Sequence, residues 1–143
     1  MTPKFIARIL GSAWLWHLSR LLITFMYWYA GLGFAMNFTG TEAIMASLGI
    51  QPVWLVSLLT IAVELIGSIL ILSDRAVWLG AGMLGVFTLL TIPLTHHFWT
   101  MSGPEAAQAM IESEEHVTVL GGLVGIAILS YVRQQLRAAK NGK

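Results

Sequence analysis

The sequence predicts an all-α integral membrane protein: a four-transmembrane-helix bundle with short helical loops on its outer face. Three observations predict it. Of the 143 residues, 57% are hydrophobic and only 10% are charged, against about 25% charged in a soluble domain. Mean hydropathy is +0.76. The apolar residues fall in continuous runs long enough to cross a bilayer, which takes about 20 residues per helix. They lack the dyad alternation of a membrane β-barrel strand. The same figures exclude an ordinary soluble globule and a disordered chain. A net charge of +1 gives no field for phosphates, so no nucleic-acid partner is expected. The absence of cysteine removes disulfides, thiolate nucleophiles, iron–sulfur clusters and Cys-ligated zinc.

One membrane domain, residues 1–143, is expected for this length. For residues 5–16 two readings stand open. They form a short interfacial helix with Lys4 and Arg8 toward lipid phosphates, or the first span starts earlier and tilts. The first span is expected at about 18–38. The following loop is too polar to span. It suits a short outer helix over 41–48, capped by Thr39 or Thr41 and stopped by Gly49. The second span, 53–72, is introduced by Pro52. The third, about 76–98, contains Pro93, expected to kink it just before His96. Residues 103–115 suggest a second outer helical loop, leading into a fourth span at about 113–132 and a frayed tail.

Charge placement sets the orientation. Lys4 and Arg8 precede span one, Arg75 lies between spans two and three, and Arg133, Arg137, Lys140 and Lys143 follow span four. The other two loops hold Glu42, Glu105, Glu112, Glu114 and Glu115 and no Lys or Arg. Both termini are therefore expected in the cytoplasm. Trp54, Trp78, Trp99 and Tyr131 fall near span ends, where aromatic rings suit the headgroup layer. No signal peptide is expected, because Arg20 interrupts the first apolar run.

Helices in lipid associate through close backbone contact or polar pairs. Gly31, Gly67, Gly80, Gly82 and Gly85 allow the first, and Gly121 to Gly125 is a GxxxG step. Packing within the bundle is the favoured reading, ahead of a homo-oligomer interface.

Charges inside a membrane are costly and mark function by default. Glu64 is the twelfth residue of the second apolar run, roughly 12 Å from the end expected in the cytoplasm. Arg20 lies roughly 9 Å in from Trp14. These depths suggest an Arg20–Glu64 ion pair, serving either helix register or a proton or substrate site. On the outer side, His96, His97, Glu115 and His116 are candidate proton or ligand groups. His97 and His116 are expected to approach each other. With Met101 and Met110 nearby they supply ligand types for a soft metal such as copper. The favoured reading there is plainer: interfacial histidines hydrated by water, and carboxylates 112–115 near a helix N-terminus. No histidine lies mid-span, so haem is not expected.

The order and spacing of several residues resemble the DoxX family of small bacterial inner-membrane proteins over nearly the whole chain. They are Arg20, Gly31, Phe38-Thr39-Gly40, Met45-Ala46-Ser47-Leu48-Gly49, Glu64, Arg75 and His96-His97-Phe98-Trp99. Two positions depart from the family pattern. Phe34 stands where members often carry Lys, and Glu115-His116 where they often carry Lys-Asn. The family takes its name from a small subunit of a thiosulfate:quinone oxidoreductase. The resemblance implies a four-helix bundle and a small membrane subunit of a quinone-linked or oxidative-stress redox system. It also implies a place beside quinones, with no cofactor fixed, and a membrane or periplasmic oxidoreductase as partner. The alternatives are a non-catalytic scaffold binding a partner or a second copy, and a small transporter or metal handler using the outer His, Met and Glu residues.

Overall fold

A computed structural model describes residues 2–142; Lys143, one of the tail cations used for topology, lies outside them. The described residues are mainly helical, with no strand among them. The elements are α1 (Lys4–Leu10), α2 (Ala13–Met36), α3 (Phe38–Ser47), α4 (Val53–Leu72), α5 (Val77–Thr95), a 3-10 turn at Phe98–Thr100, and α6 (Gly103–Asn141). Three helices are long and apolar enough to cross a membrane: α4, α5 with the turn that follows it, and α6. The pair α1 and α2 also qualifies, bent by 56° at its break.

α4 covers the same residues as the second apolar run, because Pro52 and the Ser73-Asp74 turn bound it on both sides. The N-terminal segment has a feature of each reading: a separate α1 ends at Leu10, and α2 begins five residues earlier than the expected span. α3 is capped by Asn37 rather than by Thr39 or Thr41: the Asn37 Oδ1 accepts from the Gly40 N–H at 3.1 Å. Thr41 Oγ donates instead to Phe34 O and Asn37 O, tying α3 to the end of α2. Gly49 ends the segment in the left-handed region at φ +72°, where glycine carries no Cβ penalty.

The expected separate outer loop helix and short fourth span are one continuous helix of 39 residues. Ser102 is extended, Gly103 takes φ +67°, and Pro104 occupies the first turn, where its missing N–H costs nothing. From there to Gly121 no Gly or Pro intervenes, and the Ala, Glu, Gln and Met residues that follow propagate helix. The tail expected to fray continues α6 to Asn141.

α4 packs between α2 and α5, α6 packs along α5, and α2 touches α6 lightly. Trp16, Tyr27, Ile71, Val77, Leu84 and Leu123 are buried at the centre. The close approach between helices is Gly67 against Gly80: a Cβ on Gly80 would lie 2.6 Å from the Gly67 carbonyl oxygen. Gly31 lets α2 close on α4 at Glu64, whose Cβ would lie 3.2 Å from a Cβ placed there. The GxxxG step corrects the sequence reading, because a Cβ at Gly121 or Gly125 would meet nothing within 4 Å. Only Gly122, between them, faces a neighbour, Ile23. Gly125→Ala should therefore raise thermal stability in micelles by up to about 1 kcal/mol, the helix-propensity gain. A loss of stability would mean that this face is packed.

Candidate functional site

A cavity of about 390 Å³ opens among α2, α3, α4 and α5, with His116 of α6 at its edge. That volume is in the range of small-molecule sites. Its walls are apolar, with Phe34, Met45 and Phe87 among them. Phe34, where the resemblance would put Lys, makes this wall apolar rather than cationic. Ile44, Leu59, Leu90 and Leu94 line the cavity and are also about half exposed, so it opens sideways, onto the face that lipid would cover. Polar groups gather at two places. Tyr27, Thr60, Glu64 and Thr88 form one set; Thr95, His96 and His116 form the other. Along α5, Thr88 and His96 are eight residues apart, roughly 12 Å.

Glu64 is 5% exposed, and its Oε2 has no hydrogen-bond partner among the described residues. The expected ion pair with Arg20 is not formed. Arg20 lies beside the C-terminal end of α4, where its Nη1 donates to Ile71 O and Leu72 O, each at 3.0 Å. Glu64 is seven residues back from Ile71, roughly 10 Å along the helix, so the two charges sit at different depths. The carboxylate beside Arg20 is Asp74, at 3.6 Å, and it also approaches Arg137 at 3.5 Å. Arg20 and Arg133 lie over the Trp16 ring at 5.1 and 4.8 Å, and His17 Nδ1 meets Arg20 Nη2. Asp74 was missed by sequence reasoning. Its signal was the tight Ser73-Asp74-Arg75 turn: Asp74 has φ 61°, a conformation that Asp tolerates better than most residues.

At the opposite end, His96 rather than His97 meets His116. The two rings are 4.7 Å apart. His96 Nδ1 contacts Glu112 Oε2 at 2.8 Å, and His116 Nδ1 contacts the Glu112 carbonyl at 2.7 Å. Ser113 Oγ donates to His96 O at 3.1 Å and so binds the end of α5 to α6. His97 lies past the end of α5, its ring 6.5 Å from that of Trp99 and its Nδ1 buried without a partner. Glu115 is exposed, beside a hollow that it shares with Glu114 and His116. Met101 and Met110 line separate hollows, Met101 with Glu105 and Glu112, Met110 with Phe98 and Glu114. The four candidate metal ligands therefore do not converge. Among the described residues no group of three or more His, Asp or Glu is placed to hold a metal.

Tyr27 and Thr88 were also missed. Their hydroxyls bond to each other across α2 and α5, both nearly inaccessible. Tyr27 passed unread because an aromatic in an apolar run reads as packing.

The chain is 28% identical over 111 residues to the inner membrane protein YphA of Escherichia coli (strain K12), covering 78% of this chain and 79% of that protein. No solved structure matches it. The sequence model of the DoxX family matches residues 15–97. That stretch is more than half of the chain, and it carries Arg20, Gly31, Glu64, Asp74 and His96; this protein belongs to the DoxX family of membrane proteins.

Proposed function

We propose that this chain is a four-span bundle of the bacterial inner membrane, with both termini cytoplasmic, serving as the small membrane subunit of a quinone-linked redox system. The single observation behind the reading is the cavity. It opens toward lipid, is walled by apolar side chains, and contains a buried carboxyl with an unpartnered oxygen, Glu64. A lipid-borne ring with oxygen at opposite edges suits such a site. It arrives through the bilayer, fills the apolar middle and meets polar groups at both ends. The chain has no cysteine and no nucleotide-binding motif, so electrons reach or leave the ring through an oxidoreductase partner. The orientation rests on Arg75, Arg133, Arg137 and Lys140 at one end and the glutamates of α6 at the other.

The test is binding of a decyl-tailed benzoquinone, oxidised and reduced, to the protein in lipid nanodiscs. Saturable binding of either form is expected. Glu64→Ala should weaken it by a few-fold to about tenfold, the usual worth of one hydrogen bond. Partitioning no stronger than into empty discs would sink the reading. An alternative, the non-catalytic scaffold, draws on the open space around Gly82, Gly121 and Gly125. Loss of a complex on Gly121→Leu, with no ring bound by the parent protein, would favour it.

A further inference from the structure

The end of the bundle opposite the paired histidines carries an unbalanced charge. Among the described residues every Lys and Arg lies at this end or in the terminal segments leading from it, and Asp74 is the one acidic side chain there. Asp74 is shared by Arg20 and Arg137, at 3.6 and 3.5 Å. Arg133 is left with no carboxylate. Its guanidinium lies 4.8 Å from the centre of the Trp16 ring, and that of Arg20 lies 5.1 Å from the same ring. An indole attracts a cation, but two cations on one indole repel each other, most strongly where water is scarce.

The N–H groups around that ring lack acceptors as well. Trp16 is 4% and Arg20 1% exposed. The Nη nitrogens of Arg20 are occupied by Ile71 O, Leu72 O and His17. Trp16 Nε1, Arg20 Nε and Arg133 Nε are sheltered and have no hydrogen-bond partner among the described residues. Each of the three can only donate. Buried donors are almost always satisfied, by the protein or by something bound to it. Three unmet donors and two guanidinium charges on one indole call for an acceptor that is also an anion.

Depth points to its source. Trp14 and Tyr131 are 59% and 63% exposed, and each stands two residues from a member of the set, Trp16 or Arg133. Such rings belong to the headgroup layer, which places Arg133 level with lipid phosphates. α2 and α6 touch only lightly, and Arg133, half-buried, stands at the rim between them. A guanidinium fork takes two phosphate oxygens at once. We infer that Trp16, Arg20 and Arg133 form a seat for the phosphate of an anionic phospholipid, with Arg133 as the outer clamp. Free phosphate would have to leave water to enter this layer, whereas a lipid phosphate already stands in it. A zwitterionic lipid brings the same phosphate together with an ammonium. Arg137 and Lys140, exposed one and two turns beyond Arg133, repel that second group. The seat shares no residue with the cavity lining.

Native mass spectrometry of the full chain, released from detergent micelles, counts the lipids that stay bound. Phosphatidylglycerol, phosphatidylcholine and diacylglycerol with identical chains are compared. One phosphatidylglycerol is expected to bind severalfold tighter than phosphatidylcholine, and diacylglycerol should show no saturable binding. Inorganic phosphate in large excess should not displace the lipid; displacement would assign the seat to a free anion and overturn the lipid. Arg133→Gln should weaken phosphatidylglycerol by about fivefold or more and bring the two phospholipids close to parity. Arg75→Gln is the matched control. It removes the same charge from an exposed position at the same end and should change the affinity by less than about twofold. Equal losses in the two variants would mean general attraction to a basic surface and would overturn the seat. Parity of the two phospholipids on the parent protein would overturn it too.

Discussion

Replacing Arg20 with Met should lower thermal stability in micelles by about 3–5 kcal/mol, the cost of breaking a buried charged network from one side. Arg20 is 1% exposed. Its Nη1 donates to two of the last carbonyls of α4, of which Ile71 O also accepts from the Asp74 N–H at 3.2 Å. Its guanidinium also lies over Trp16 and beside Asp74. Met retains much of the volume but leaves both carbonyls and Asp74 without that partner. Arg20→Lys should recover only part of the loss, since an ammonium can donate to both carbonyls but lacks the planar face that lies over Trp16 and the second nitrogen that meets His17. Asp74→Asn should cost about 1 kcal/mol or less, because Asp74 is partly exposed and its other partner, Arg137, is largely solvated. Tryptophan fluorescence during a thermal ramp reads all three. An Arg20→Met protein within 1 kcal/mol of the parent would mean that Arg20 is not the support of this end.

Arg20 also shows how far the sequence could be read. A charge in an apolar run identified the residue as important, but its partner depended on the register of α2 against α4. Depth counted from an assumed span end shifts by about 1.5 Å per residue, and α2 begins five residues before the expected start. Glu64 was legible for the opposite reason, since α4 is bounded by Pro52 and a tight turn. The outer histidines were read as a set, but neighbouring residues in a helix point about 100° apart. The exchange of His97 for His96 follows from where α5 stops, at Thr95. α6 was divided too early because its outer half is polar, and polarity without a Gly or Pro does not end a helix. The cavity could not be read at all, since it is made by five elements meeting and no local pattern encodes it.

Gly80→Leu should be the other severe change, costing more than the 1–3 kcal/mol of ordinary overpacking. A Cβ at Gly80 would lie 2.6 Å from the Gly67 carbonyl oxygen and 3.0 Å from Leu70 Cβ and Ile71 Cγ1. The closest of these is backbone, so no rotamer change relieves it, and α4 and α5 must separate. Separation strips contacts from Val77, Ala81 and Leu84, all buried at this seam. Gly82→Leu is the matched control. It lies on the same helix, and nothing stands within 4 Å of its Cβ position. It gains the same helix propensity and should be neutral or mildly stabilising. The pair also tests the site. Gly67 is three residues from Glu64 on α4, and Gly80 is eight from Thr88 on α5, so forcing the helices apart shifts one polar end of the cavity against its wall. Ring binding should fall in Gly80→Leu protein that remains folded and stay unchanged in Gly82→Leu. Equal binding in both would mean that the α4–α5 seam supports the fold without setting the shape of the cavity.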